Sequence, residues 1–141
     1  MAWVALISWI VTAGGGFVLL ALWLRHGGMR QSGPGRKIRP PLLFSHFGLA
    51  ATGLVLWIIY VATDSDALAW IAFVILLAVA ALGWTMFAIW WQRRQASGPA
   101  AAPASTPELP AEQHFPVAIV TLHGLLAVTT VVLVFLAAIG V

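Results

Sequence analysis

Four stretches of this chain are too long and too apolar to belong to a water-soluble fold. They run roughly Ala2–Leu24, Pro41–Ala62, Leu68–Trp91 and Pro116–Val141, and none contains Asp, Glu, Lys or Arg. A helix needs about 20 apolar residues to cross the hydrocarbon of a bilayer. A soluble domain would carry about 25% charged residues, and here only 8% are charged. The expected fold is therefore all-α: a four-transmembrane-helix bundle forming a single membrane domain over residues 1–141. The first run has no basic segment ahead of it and is long enough to span, so it is expected to be a retained helix rather than a cleaved leader. The absence of cysteine excludes disulfides, thiolate metal sites and iron–sulfur clusters.

The seven basic residues fix the expected orientation. Arg25, Arg30, Arg36, Lys37 and Arg39 lie in the first loop, and Arg93 and Arg94 open the third. The short second loop carries Asp64 and Asp66. The positive-inside rule puts loops one and three in the cytoplasm and both termini outside, in a multi-pass protein of the plasma membrane. A basic balance confined to loops in this way is no sign of a nucleic-acid partner. Trp23, Trp90 and Trp91 are expected at the inner headgroup level, and Trp3, Trp57 and Trp70 at the outer. The Pro/Ala-rich stretch of about 95–113 reads as a disordered cytoplasmic linker.

The spans repeat. Span one aligns with span three at an offset of 67, pairing Trp3 with Trp70, Ala13 with Ala80, Gly16 with Gly83 and Trp23 with Trp90. Span two aligns with span four at an offset of 77, pairing His46 with His123, Leu49 with Leu126, Ala50 with Ala127 and Thr52 with Thr129. Two tandem helical hairpins running in the same direction would be related by a pseudo-twofold axis along the membrane normal.

His46 and His123 would then sit at matched depths, roughly 7 and 10 Å past the cytoplasmic ends of their helices. Ionisable residues at such depth usually face the bundle interior and are candidates for function. One face of span two carries His46, Ala50, Gly53 and Trp57, and the same face of span four carries His123, Ala127, Thr130 and Val134. Two imidazoles from opposite helices can ligate one haem iron, with small residues leaving room for the macrocycle. On this reading His46 and His123 are the metal ligands and approach each other across the bundle. Ala50, Gly53, Ala127 and Thr130 line the cofactor, a haem b, and Arg36, Lys37 and Arg39, with Arg93 and Arg94 nearby, pair with its propionates. The alternative is a packing role, in which the histidines hydrogen-bond each other or a backbone carbonyl. The chain would then be a non-catalytic accessory subunit of a membrane complex, or a homo-oligomer.

Other features read more plainly. His26 is expected to be a solvated or headgroup-level residue, and His114 to be an interfacial side chain. The glycines of "TAGGGF" (12–17) suit close helix approach, and Trp9 and Trp84 suit core packing. No intramembrane carboxylate supports ion-coupled transport, and no nucleophile–base–acid set supports hydrolysis. Two histidines are too few for a four-ligand zinc site. A self-contained enzyme is not expected.

With four spans and one histidine on each of two helices at matched depth, the chain resembles the small four-helix membrane cytochrome b modules, such as b561-type proteins and the membrane anchors of succinate dehydrogenase. That resemblance covers the four-span core. It implies a b-type haem and electron transfer, with a quinone or a larger membrane complex as partner. A b561-type protein offers two histidine pairs, one near each face. This chain offers one, which argues against relay across the membrane through two stacked haems. The chain also resembles small four-span bacterial membrane proteins, a likeness that implies no activity.

Overall fold

The computed structural model describes residues 1–30, 37–96 and 109–141. Four helices account for most of them: α1 (Ala2–Arg25), α2 (Pro40–Thr63), α3 (Asp66–Ala96) and α4 (Val117–Ala138). Each is long and apolar enough to cross a membrane, and the described residues contain no strand. The chain is thus an all-helical, multi-pass membrane protein. Two short 3-10 turns, Gly28–Arg30 and Ala111–His114, precede α2 and α4.

Local chemistry sets the helix ends. Pro40 and Pro41 open α2, where a missing N–H costs nothing. Asp64 takes the left-handed conformation at φ 51°, and its N–H returns to the Tyr60 carbonyl at 2.8 Å, closing the turn into α3. The third helix runs five residues beyond the expected Trp91. Arg93 and Arg94 suit its C-terminal dipole, and the Arg94 guanidinium lies 5.6 Å from the Trp90 ring centroid. The fourth ends three residues early. Gly140 at φ 83° and the N–H groups of Gly140 and Val141, bonded to Ala137 and Leu136, form a Schellman closure.

The helices form a ring in which α1 packs chiefly on α4 and α2 chiefly on α3. Two apolar clusters fill it. The first lies toward the α2–α3 turn, the distal end, around Ala5, Leu6, Trp9, Trp57, Leu76 and Val134. The second lies at the opposite, proximal end, around Trp23, Ile38, Leu43, Ile89, Trp90, Ala111 and Phe115. Trp23, Trp57 and Trp90 are therefore wholly buried, whereas Trp3, Trp70 and Trp91 are exposed. Trp9 is a core residue as expected. Trp84 is not: it is 62% exposed on the outer surface and stacks edge-on against Phe87.

The proximal cluster also absorbs the end of the expected linker. Ala111, Glu112 and Phe115 are buried, and a Glu112 carboxylate oxygen accepts the Ile38 N–H at 3.2 Å. The segment before α4 is thus tied to the segment before α2. Glu112→Ala strands that N–H and should cost about 1–3 kcal/mol, whereas Glu112→Gln, which keeps an acceptor oxygen, should cost less. Chemical unfolding in detergent followed by tryptophan fluorescence measures both.

Candidate functional site

The two apolar clusters leave a layer between them. No residue is buried between Thr12 and Trp23 on α1, between Leu43 and Gly53 on α2, between Val79 and Ile89 on α3, or between Phe115 and Thr130 ahead of and along α4. The inward positions at this level are only half-buried: Ala13, Gly16 and Leu20 on α1, Ala80, Gly83 and Phe87 on α3, Ala50 on α2 and Ala127 on α4. His46 and His123, themselves half-buried, sit in this layer.

Each imidazole is anchored on a neighbouring helix. His46 Nδ1 donates to the Val79 carbonyl of α3 at 2.9 Å, and His123 Nδ1 donates to the Thr12 carbonyl of α1 at 3.0 Å. Thr12 and Val79 are themselves partners at the offset of 67, so the two bonds occupy equivalent places in the aligned spans. The aligned glycines explain how the bonds are reached. Both carbonyls already take a helical N–H from the residue four places on, which is Gly16 for Thr12 and Gly83 for Val79. A Cβ on Gly16 would stand 3.2 Å from His123 Cε1, and one on Gly83 would stand 3.2 Å from His46 Cε1. Lacking that atom, each glycine opens the flank of its helix to an imidazole.

A carbonyl only accepts, so Nδ1 must carry the proton. In a neutral imidazole that leaves Nε2 as a bare lone pair. Ligating histidines are commonly held in this way, with the far nitrogen donating to a carbonyl. The histidines do not bond each other. They border the same layer from α2 and α4 while holding different neighbours.

The remaining expected site residues divide. Ala50 and Ala127 lie at the histidine level. Gly53 and Thr130 are buried one turn further toward the distal end, and other side chains take up their space. The Trp9 ring comes within 3.0 Å of where a Gly53 Cβ would be, with Ile75 at 3.2 Å. Thr130 Oγ1 lies 2.7 Å from Ser8 Oγ and 3.0 Å from Thr12 Oγ1. These two residues form a floor under the layer and do not line it. At the proximal end Lys37 is half-buried and Arg39 exposed; Arg36 lies outside the described residues.

Three features had no single-residue signal in the sequence. His26 and His114 stack with ring centroids 3.9 Å apart and planes 11° off parallel, beside an open pocket of about 440 Å³ that Arg25, Gly27 and Leu109 also line. Glu112 is buried within a stretch that reads as linker. Trp23 and Trp90 are 0% and 1% exposed, yet neither indole N–H finds an acceptor among the described residues, and neither does the Gln113 side-chain amide. An unmet buried donor costs about 1–3 kcal/mol.

Comparison of the chain with known protein families, with curated proteins and with solved structures finds no match.

Gly83→Val places a branched side chain against the His46 ring and should break its bond to Val79, leaving His123 unchanged. Nitrogen NMR of labelled histidine should show Nδ1–H imidazoles at His46 and His123 in the wild type, beside that of His26, whose Nδ1 donates to the Leu22 carbonyl, and should lose only the His46 one in the variant.

Proposed function

We propose that this protein binds one b-type haem in the layer between its apolar clusters, with His46 Nε2 and His123 Nε2 as the axial ligands, and that it relays electrons in the plasma membrane. The observation that carries this reading is the paired anchoring of the imidazoles. Both have Nδ1 committed to a backbone carbonyl, both leave Nε2 bare, and both sit at a level where the inward residues of all four helices are only half-buried. The donor set suits the group. Two imidazoles fall short of a four-ligand zinc site, but a macrocycle supplies the equatorial nitrogens of iron and asks for two axial ligands.

The chain's own part in this chemistry is positional. The Thr12 and Val79 carbonyls hold the ring orientation and raise the basicity of the ligating nitrogens. The half-buried glycines and alanines leave width. The floor of Trp9, Gly53 and Thr130 and the proximal cluster around Trp23 and Trp90 shield the layer from water, and that shielding helps to set the potential of an enclosed redox group. When bound, haem supplies one-electron transfer. A quinone or a larger membrane complex is the partner class such a relay serves. The basic loops face the cytoplasm and both termini face outward, and the equivalent anchors support descent from a duplicated helical hairpin.

Purified in detergent after expression with added haem, the wild type should show a Soret band. His46→Ala and His123→Ala should each weaken haem retention by at least tenfold, and the double variant should abolish it. A wild type without a Soret band, or a band that survives the double substitution, contradicts the assignment.

A further inference from the structure

We infer that the open pocket beside the stacked imidazoles of His26 and His114 binds a phosphate group, carried by a lipid headgroup or free in solution, with the Arg25 guanidinium and the two rings as its donors. The site lies apart from the layer of His46 and His123 and does not depend on the haem reading. Three observations carry it. The first is room: a pocket of about 440 Å³ opens at the end of α1, lined by Arg25, His26, Gly27, Leu109 and His114. Arg25, His26 and His114 are all exposed, and Arg25 has no ion pair among the described residues. The second is charge. Among the described residues, Arg25, Arg30, Lys37, Arg39, Arg93 and Arg94 gather at the proximal end. The one carboxylate described there, Glu112, is buried and accepts the Ile38 N–H.

The third is the geometry of the stack. Rings 11° off parallel with centroids 3.9 Å apart send their in-plane lone pairs out side by side. Such a pair does not converge on one metal ion, and the guanidinium beside it repels a cation. His26 Nδ1 donates to the Leu22 carbonyl at 2.8 Å, so this ring gains a further N–H, at Nε2, only as an imidazolium. Two imidazolium rings this close, next to a guanidinium, repel one another. An anion at their edge offsets that repulsion and favours the charged forms. The local fold presents the donors together. Gly27 at φ 76° turns the chain out of α1 and adds no side chain to the pocket. Ala111, Glu112 and Phe115, buried on either side of His114, hold the turn that carries its ring. The guanidinium fork matches phosphate oxygens. A spanning helix ends in the headgroup zone, where basic side chains attract anionic lipid.

The test uses the full-length protein in a non-ionic detergent at neutral pH. It is titrated separately with short-chain phosphatidic acid, inorganic phosphate and short-chain phosphatidylcholine, whose headgroup is zwitterionic. Nitrogen NMR of labelled histidine reports the site, and phosphorus NMR of the ligand reports the affinity. Phosphatidic acid should turn His26 and His114 into imidazolium rings and leave His46 and His123 unchanged. The same change with inorganic phosphate at equal concentration identifies a soluble phosphate as the ligand, and a change with phosphatidic acid alone identifies the lipid headgroup. Arg25→Gln should weaken binding by about tenfold. His26→Phe with His114→Phe, which keeps two flat rings and removes their donors, should weaken it by at least as much without lowering the thermal unfolding midpoint. Arg39→Gln, outside the pocket, should leave it unchanged. Wild-type histidine signals that move with neither phosphate overturn the inference. So does equal binding of phosphatidylcholine, or an affinity that survives the Arg25 and paired histidine substitutions. An affinity lost equally in Arg39→Gln overturns it in favour of a diffuse basic surface.

Discussion

The structure turns on two hydrogen bonds, each from an imidazole Nδ1 to a backbone carbonyl of the neighbouring helix. Inside an apolar bundle a histidine must find a partner, because an unmet polar group there is costly. Helical carbonyls are shielded by the side chain one turn along. Glycine at that position removes the shield, and it does so at Gly16 and at Gly83. One missing Cβ per helix therefore sets the ring position, the tautomer and the free nitrogen.

The two halves are equivalent at the histidines and unlike below them. On the α1–α4 side Ser8, Thr12 and Thr130 join their hydroxyls. The aligned positions on the α2–α3 side are Ile75, Val79 and Gly53, all apolar, and the Trp9 ring fills the space that Gly53 leaves. A large residue on one half thus complements a small one on the other. The environments of His46 and His123 differ as a result, with a hydroxyl cluster beyond one and an aromatic floor beyond the other.

The four helices were legible because uncharged runs of this length have few other fates. The pairing of His46 with His123, and of Gly16 with Gly83, was legible from the aligned spans, as were the inward faces of α2 and α4. The partner of each histidine was not. Span periodicity tells which face turns inward, but it does not say which neighbouring carbonyl lies within reach. Gly53 and Thr130 share the histidine face in the sequence, yet Trp9 and Ser8, from another helix, take up their space. Trp23, Trp57 and Trp90 sit near span ends and so read as headgroup residues; it is tertiary packing, including the 111–115 segment, that buries Trp23 and Trp90. Glu112 was hidden for the same reason. Its surroundings in sequence are those of a linker, and its burial depends on Ile38, 74 positions away.

The most direct test of the proposal that the paired, carbonyl-anchored histidines ligate a haem is the electron paramagnetic resonance spectrum of the ferric, haem-loaded protein. Two imidazole nitrogens on one iron give a low-spin signal, and the account predicts that signal alone for the wild type, with a high-spin signal appearing in His123→Ala. A wild-type spectrum that is high-spin, with one axial ligand or none from the chain, would contradict it.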